Sequence, residues 1–109
     1  MAYNEPLAER IRAILSGTRG LEEKKMFGGV GFLVSGNMAC GVHKDDLILR
    51  LGEQDFAAAL KKPHVRIFDM TGKPMRGWVL VSEQGYASTK DLQAWVRISL
   101  AFARSHPPK

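Results

Sequence analysis

Between residues 28 and 51 the chain breaks into three short segments, each bounded by residues that favour turns. They are Gly28 to Val34, Asn37 to His43 and Asp46 to Leu51, separated by Ser35-Gly36-Asn37 and Lys44-Asp45-Asp46. Glycine, serine, asparagine and aspartate either tolerate left-handed backbone or hydrogen-bond their own main chain, so they mark chain reversals. Connections this tight join antiparallel neighbours, because a parallel crossover needs about a dozen residues or more. In the third segment Leu47, Leu49 and Leu51 alternate with Ile48 and Arg50, the two-residue period of a strand with one buried face. The stretch predicts a three-stranded antiparallel meander, and whatever else the chain forms must pack against it.

The flanks supply the other layer. From Asn4 to Ser16 the apolar residues Leu7, Ile11, Ile14 and Leu15 fall on one helical stripe. Asn4 can cap that helix, Pro6 suits its first turn, and Gly17 stops it. Residues 18–25 read as a polar loop ending in Glu22, Glu23, Lys24 and Lys25. After the meander, Glu53 to Lys62 predicts a short helix ended by Pro63. Val65 and Ile67 predict a strand, Thr71-Gly72-Lys73-Pro74 a turn, and Gly77 to Ser82 a further strand. Ser88 and Asp91 form a capping-box-like start to a helix reaching about Arg104. Residues 105–109 are expected to be a disordered tail. The order is α-β-β-β-α-β-β-α, an α+β fold with a mostly antiparallel sheet packed by helices. At 109 residues, with 45% hydrophobic and 25% charged residues, the chain is expected to be a single domain, 1–109, with an ordinary globular composition.

The sequence offers few catalytic groups. Cys40 and His43 alone resemble a nucleophile with a base, but three residues apart on a strand they face opposite ways. With one cysteine and three scattered histidines no metal-ligand spacing exists, so neither metal nor cofactor is expected. The glycines of Phe27-Gly28-Gly29-Val30-Gly31-Phe32 fit no dinucleotide fingerprint, since Val34 stands where the third glycine belongs and strands follow. Gly72-Lys73-Pro74 is no phosphate loop either. A bulge or close backbone crossing explains the glycines. Met26, Met38, Met70 and Met75 suit gaps in a core. The chain is expected not to be an enzyme. A small enzyme of unrecognised type is the last alternative.

Charge and the last helix suggest partners. Residues 1–55 carry 7 basic and 8 acidic side chains, and residues 56–109 carry 9 and 3. The excess gathers at Lys61, Lys62, Arg66, Lys73 and Arg76, a candidate basic patch for weak, sequence-nonspecific nucleic-acid binding, or a solvated face. In the last helix Leu92, Trp95, Val96, Ser99 and Ala103 form one stripe, while Ala94, Ile98, Ala101 and Phe102 form part of another. Such a helix either packs deeply in its own domain or meets a second subunit, with Ile98 and Phe102 on the candidate dimer face. A homodimer follows as an expectation, with an unidentified protein partner. The N-terminus shows no signal peptide and no apolar run could span a membrane, so a cytoplasmic location is expected.

The run Lys24-Lys25-Met26-Phe27-Gly28-Gly29-Val30-Gly31-Phe32, followed by Met38 to Val42, Asp46 to Arg50 and Met75-Arg76-Gly77-Trp78, resembles the TfoX/Sxy N-terminal domain family. The likeness covers roughly residues 5–103, and its most specific part is Lys25, Met26, Phe27, Gly28 and Gly29. It implies an α+β fold similar to the type III secretion chaperones. In the competence regulators of that family this domain precedes a helical C-terminal domain and acts with the cyclic-AMP receptor protein in natural transformation. The present chain, ending at Lys109, resembles a stand-alone N-terminal domain. The resemblance therefore implies a regulatory or protein-interaction domain and brings no catalytic residues with it.

Overall fold

A computed structural model describes residues 3–26, 28–69, 72 and 75–107. Its elements are α1 (Glu5–Leu15), β1 (Leu21–Met26), β2 (Gly29–Val34), β3 (Asn37–His43), β4 (Asp46–Arg50), α2 (Glu53–Leu60), β5 (Val65–Ile67), β6 (Trp78–Val81), α3 (Glu83–Tyr86) and α4 (Thr89–Arg104). The eight elements expected from the sequence occur in the expected order, joined by two more, β1 and α3. The six strands form one antiparallel sheet in the order β1-β2-β3-β4-β6-β5. The fold is α+β.

Local chemistry sets the helix starts. The Asn4 side chain accepts from the Leu7 N–H at 3.0 Å, and the Ser88 hydroxyl accepts from the Asp91 N–H at 3.0 Å. Each satisfies one of the donors that a helix start leaves without a partner. α1 then buries Leu7, Ala8, Ile11 and Leu15, and α4 buries Leu92, Trp95, Val96, Ser99 and Ala103. The α1 side chains and Leu92, Trp95 and Val96 meet Phe32, Cys40, Val42, Leu47, Leu49, Val79 and Val81 on one face of the sheet, and that interlayer is the main core, while Ala103 packs with Val34 and Ala39. On the other face Met38, Ile48 and Leu80 pack with Phe68, and Met75 and Trp78 lie against them.

β1 corrects the reading of residues 18–25 as a loop. Leu-Glu-Glu-Lys-Lys-Met shows no apolar alternation because it is an edge strand, with Glu22 to Lys25 all exposed. It is held by backbone pairing to β2, from Leu21 opposite Val34 to Met26 opposite Gly29. Glu23 is also tied to α1, where the Arg12 guanidinium donates to both its carboxylate oxygens at 2.7 Å. Charges along such an edge discourage pairing with another chain.

The glycines mark a close crossing, as the sequence suggested. Gly28 has φ +72°, a left-handed conformation in the β1–β2 reversal that costs glycine nothing. A Cβ at Gly29 would run into the Val42 carbonyl of β3. Of the expected disordered tail, Ser105 closes α4 through its N–H to the Ala101 carbonyl, and the Pro107 carbonyl accepts from Asn37 Nδ2 at 3.0 Å. Pro108 and Lys109 lie outside the described residues.

Candidate interaction surface

The second stripe of α4 leaves apolar surface incompletely covered, as does the exposed Leu60 at the end of α2. Ala94 and Ala101 are exposed, while Ile98 and Phe102 are half-buried. Ile98 rests against the main core and borders a trough of about 210 Å³ with Pro63, His64, Gln84, Ala94 and Trp95. The floor of the trough is fixed by a hydrogen bond of 3.1 Å from the Trp95 indole N–H to the Gly85 carbonyl. Above it the Lys62 ammonium lies 5.0 Å from the Trp95 ring centroid, a cation–π contact at the rim. His64 holds φ +68°, which is unusual outside glycine and sets the bend from α2 into β5 beside the trough.

Phe102, grouped with Ile98 on the candidate dimer face, has partners in its own chain. Its ring meets His106 edge-on at 4.6 Å between centroids. The Arg50 guanidinium lies 5.5 Å from the Phe102 ring and 5.8 Å from that of Trp78. Phe102 therefore seals the end of α4 against β4 as well as edging the stripe.

The basic residues are spread rather than gathered. Lys61 and Lys62 lie exposed at the C-terminal end of α2. Arg66, on β5, donates to Asp46 at 2.5 Å and to the Ser82 hydroxyl at 2.9 Å. Arg76, just before β6, pairs with Glu53 at 2.7 Å, at the opposite end of α2 from the lysines. Lys73 lies outside the described residues. Two of the four described cations are thus matched by carboxylates.

Within the glycine motif, Lys25 is exposed on β1, and Gly28 and Gly29 shape the crossing between β1, β2 and β3. Phe27 and the Met26 side chain lie outside the described residues. The motif's described glycines act as a structural device.

Cys40 is wholly buried, and burial pushes its thiol up to about 12, only partly offset by a hydrogen bond with Ser99. A nucleophilic cysteine needs the reverse, a thiolate accessible near neutral pH. His43 is also buried, and its Nδ1 has no hydrogen-bond partner. Among the described residues no group of three or more His, Cys, Asp or Glu side chains could hold a metal ion. No helix among them is long and apolar enough to cross a membrane.

The trough escaped sequence reasoning because its walls come from the α2–β5 turn, α3 and α4. The one available signal was Trp95, a large amphipathic ring whose N–H needs a partner.

The family model described as the TfoX N-terminal domain matches residues 13–103. No curated protein and no solved structure matches the chain. The matched span runs from within α1 almost to the end of α4 and includes the whole sheet. The chain belongs to the TfoX N-terminal domain family.

Proposed function

We propose that this domain is a non-enzymatic interaction module and that it meets a second copy of itself through the outer stripe of α4. The observation that carries the reading is the partial exposure of Ala94, Ile98, Ala101 and Phe102 on a helix whose other stripe already fills the core. Ala94 and Ala101 are two helical turns apart, about 10 Å. Their short side chains let a second helix approach Ile98 closely. A two-fold pairing uses the same stripe on both partners. The burial of Cys40 removes the one thiol of the chain as a nucleophile. A lone cysteine with no disulfide partner suits a cytoplasmic protein.

Size-exclusion chromatography with light scattering tests the reading. The expected mass at tens of micromolar is twice the 12.1 kDa of the chain. Ala94→Glu and Ala101→Glu place charge on exposed positions and are expected to give monomers with unchanged circular dichroism. A wild-type chain that remains monomeric refutes the self-association.

A further inference from the structure

We propose that the molecule carries a binding site for a phosphate monoester, located where the α1–β1 loop, the β2–β3 turn and the end of α4 converge. A cavity of about 330 Å³ lies there, lined by Arg19, Val34, Ser35, Ala103, Arg104 and His106. No acidic residue is among the described residues that line it. Neither Arg19 nor Arg104 forms an ion pair among the described residues. The described ion pairs engage Arg12, Arg66 and Arg76, so these two guanidiniums bring charge that no described carboxylate neutralises to the border of one concavity.

The donor set matches phosphate better than carboxylate. Two guanidiniums offer forked N–H pairs suited to tetrahedral oxyanions and supply two positive charges, which a single carboxylate leaves unbalanced. Ser35 contributes a hydroxyl, held at the rim by a left-handed turn with φ +52° and by its N–H to the Gly20 carbonyl at 2.9 Å. His106 supplies the third kind of group. Its Nδ1 lies 2.9 Å from the Phe102 carbonyl, which can only accept, so Nδ1 carries the hydrogen and Nε2 is left for a ligand. A phosphate monoester holds its second proton with a pKa of about 6. That proton can lie between a phosphate oxygen and Nε2, and no external proton is needed. The buried Val34 and Ala103 close the floor with apolar surface.

The negative pole of α4 opposes an anion and is outweighed by the two guanidinium charges, while three of its last carbonyls are already capped. Ser105 N–H bonds to the Ala101 and Phe102 carbonyls, and His106 N–H to that of Ala103. The cavity exceeds a bare phosphate, which leaves room for the small organic group that carries it.

Nuclear magnetic resonance titration of the whole chain, with inorganic phosphate, O-phosphoserine and acetate at matched ionic strength, tests the site. Phosphate and phosphoserine are expected to saturate and to shift the amides of Arg19, Ser35 and Arg104 and the His106 ring, while acetate does not. Tighter binding of phosphoserine supports the monoester, and tighter binding of inorganic phosphate overturns that assignment. Arg19→Gln and Arg104→Gln are each expected to weaken binding about tenfold or more. Arg97→Gln, exposed two turns earlier on α4, removes the same charge outside the cavity and is expected to leave affinity unchanged. A linear, unsaturable response overturns the proposal. So does an Arg97→Gln loss equal to that of Arg104→Gln, since it reduces the effect to general charge.

Discussion

At the scale of single residues, burial and close approach decide what each group can do. Cys40 has an ordinary thiol value of 9.0 that the folded state raises to about 12, and the Tyr86 phenol rises from 10.0 to about 12. Burial is the chief cause in both. For Tyr86, whose hydroxyl donates to the Asp45 carbonyl at 2.6 Å, nearby Glu83, Asp45 and Asp46 add to the rise. Both groups hold their protons longer when folded than unfolded, so the unfolded chain binds fewer protons above pH 9 and stability falls as pH rises. Urea denaturation between pH 8 and pH 12 is expected to show a midpoint that declines from about pH 9 onward. Cys40→Ala should flatten the first part of that decline. A midpoint independent of pH in this window would contradict the burial of both groups. Gly29 is constrained differently, by the Val42 carbonyl where a Cβ would lie. Gly29→Ala is expected to destabilise by about 2 kcal/mol or more, since the obstruction is backbone rather than a side chain that can rotate. Gly28→Ala, with open space around it, should lose less, chiefly through its left-handed φ. Chemical denaturation of the two variants checks the order.

At the scale of elements, what was legible in the sequence follows from which surfaces an element buries. β2, β3 and β4 were readable because turn residues punctuate them, and α1 and α4 because they carry caps and a core-facing stripe. β1 was not, because an edge strand with charged residues along most of its length has no apolar period to read. Its place depends on neighbours distant in sequence, namely the β2 ladder and Arg12 of α1. α3 is a single turn whose Tyr86 is fixed by contacts with Asp45 of the β3–β4 turn and Arg10 of α1, which no local pattern announces. The cap at Asn4 was legible, and its contribution is measurable. Asn4→Ala is expected to destabilise by about 1 kcal/mol, through the lost bond to the Leu7 N–H. Glu23→Gln, an exposed pair with Arg12, should change stability by less than about 1 kcal/mol. Its effect is expected instead as faster amide exchange confined to β1.

At the scale of the whole molecule, net charge is a weaker guide than the pairing of individual charges. The formal charge of +5 and the second-half excess point toward phosphate-bearing polymers. The fold then separates Arg76 from Lys61 and Lys62 by the length of α2 and matches Arg66 and Arg76 with Asp46 and Glu53. Sequence could list these five residues but not the carboxylates opposite them, since Asp46 lies 20 positions from Arg66 and Glu53 lies 23 from Arg76. The same blindness hid the Arg19, Arg104 and His106 cavity, whose members come from opposite ends of the chain. If each unpaired cation of the patch makes one phosphate contact, the described lysines give two. Each contact contributes about 0.9 to the salt slope of duplex DNA binding, so these two lysines account for about −2 of it. Asp46→Asn with Glu53→Gln releases both arginines and is expected to steepen the slope by about 2 relative to wild type. Fluorescence anisotropy with duplex DNA across a salt series measures it. A slope that the double variant leaves unchanged would mean that these carboxylates do not hold the arginines in solution, and the basic segment would then have to be treated as one phosphate-binding surface.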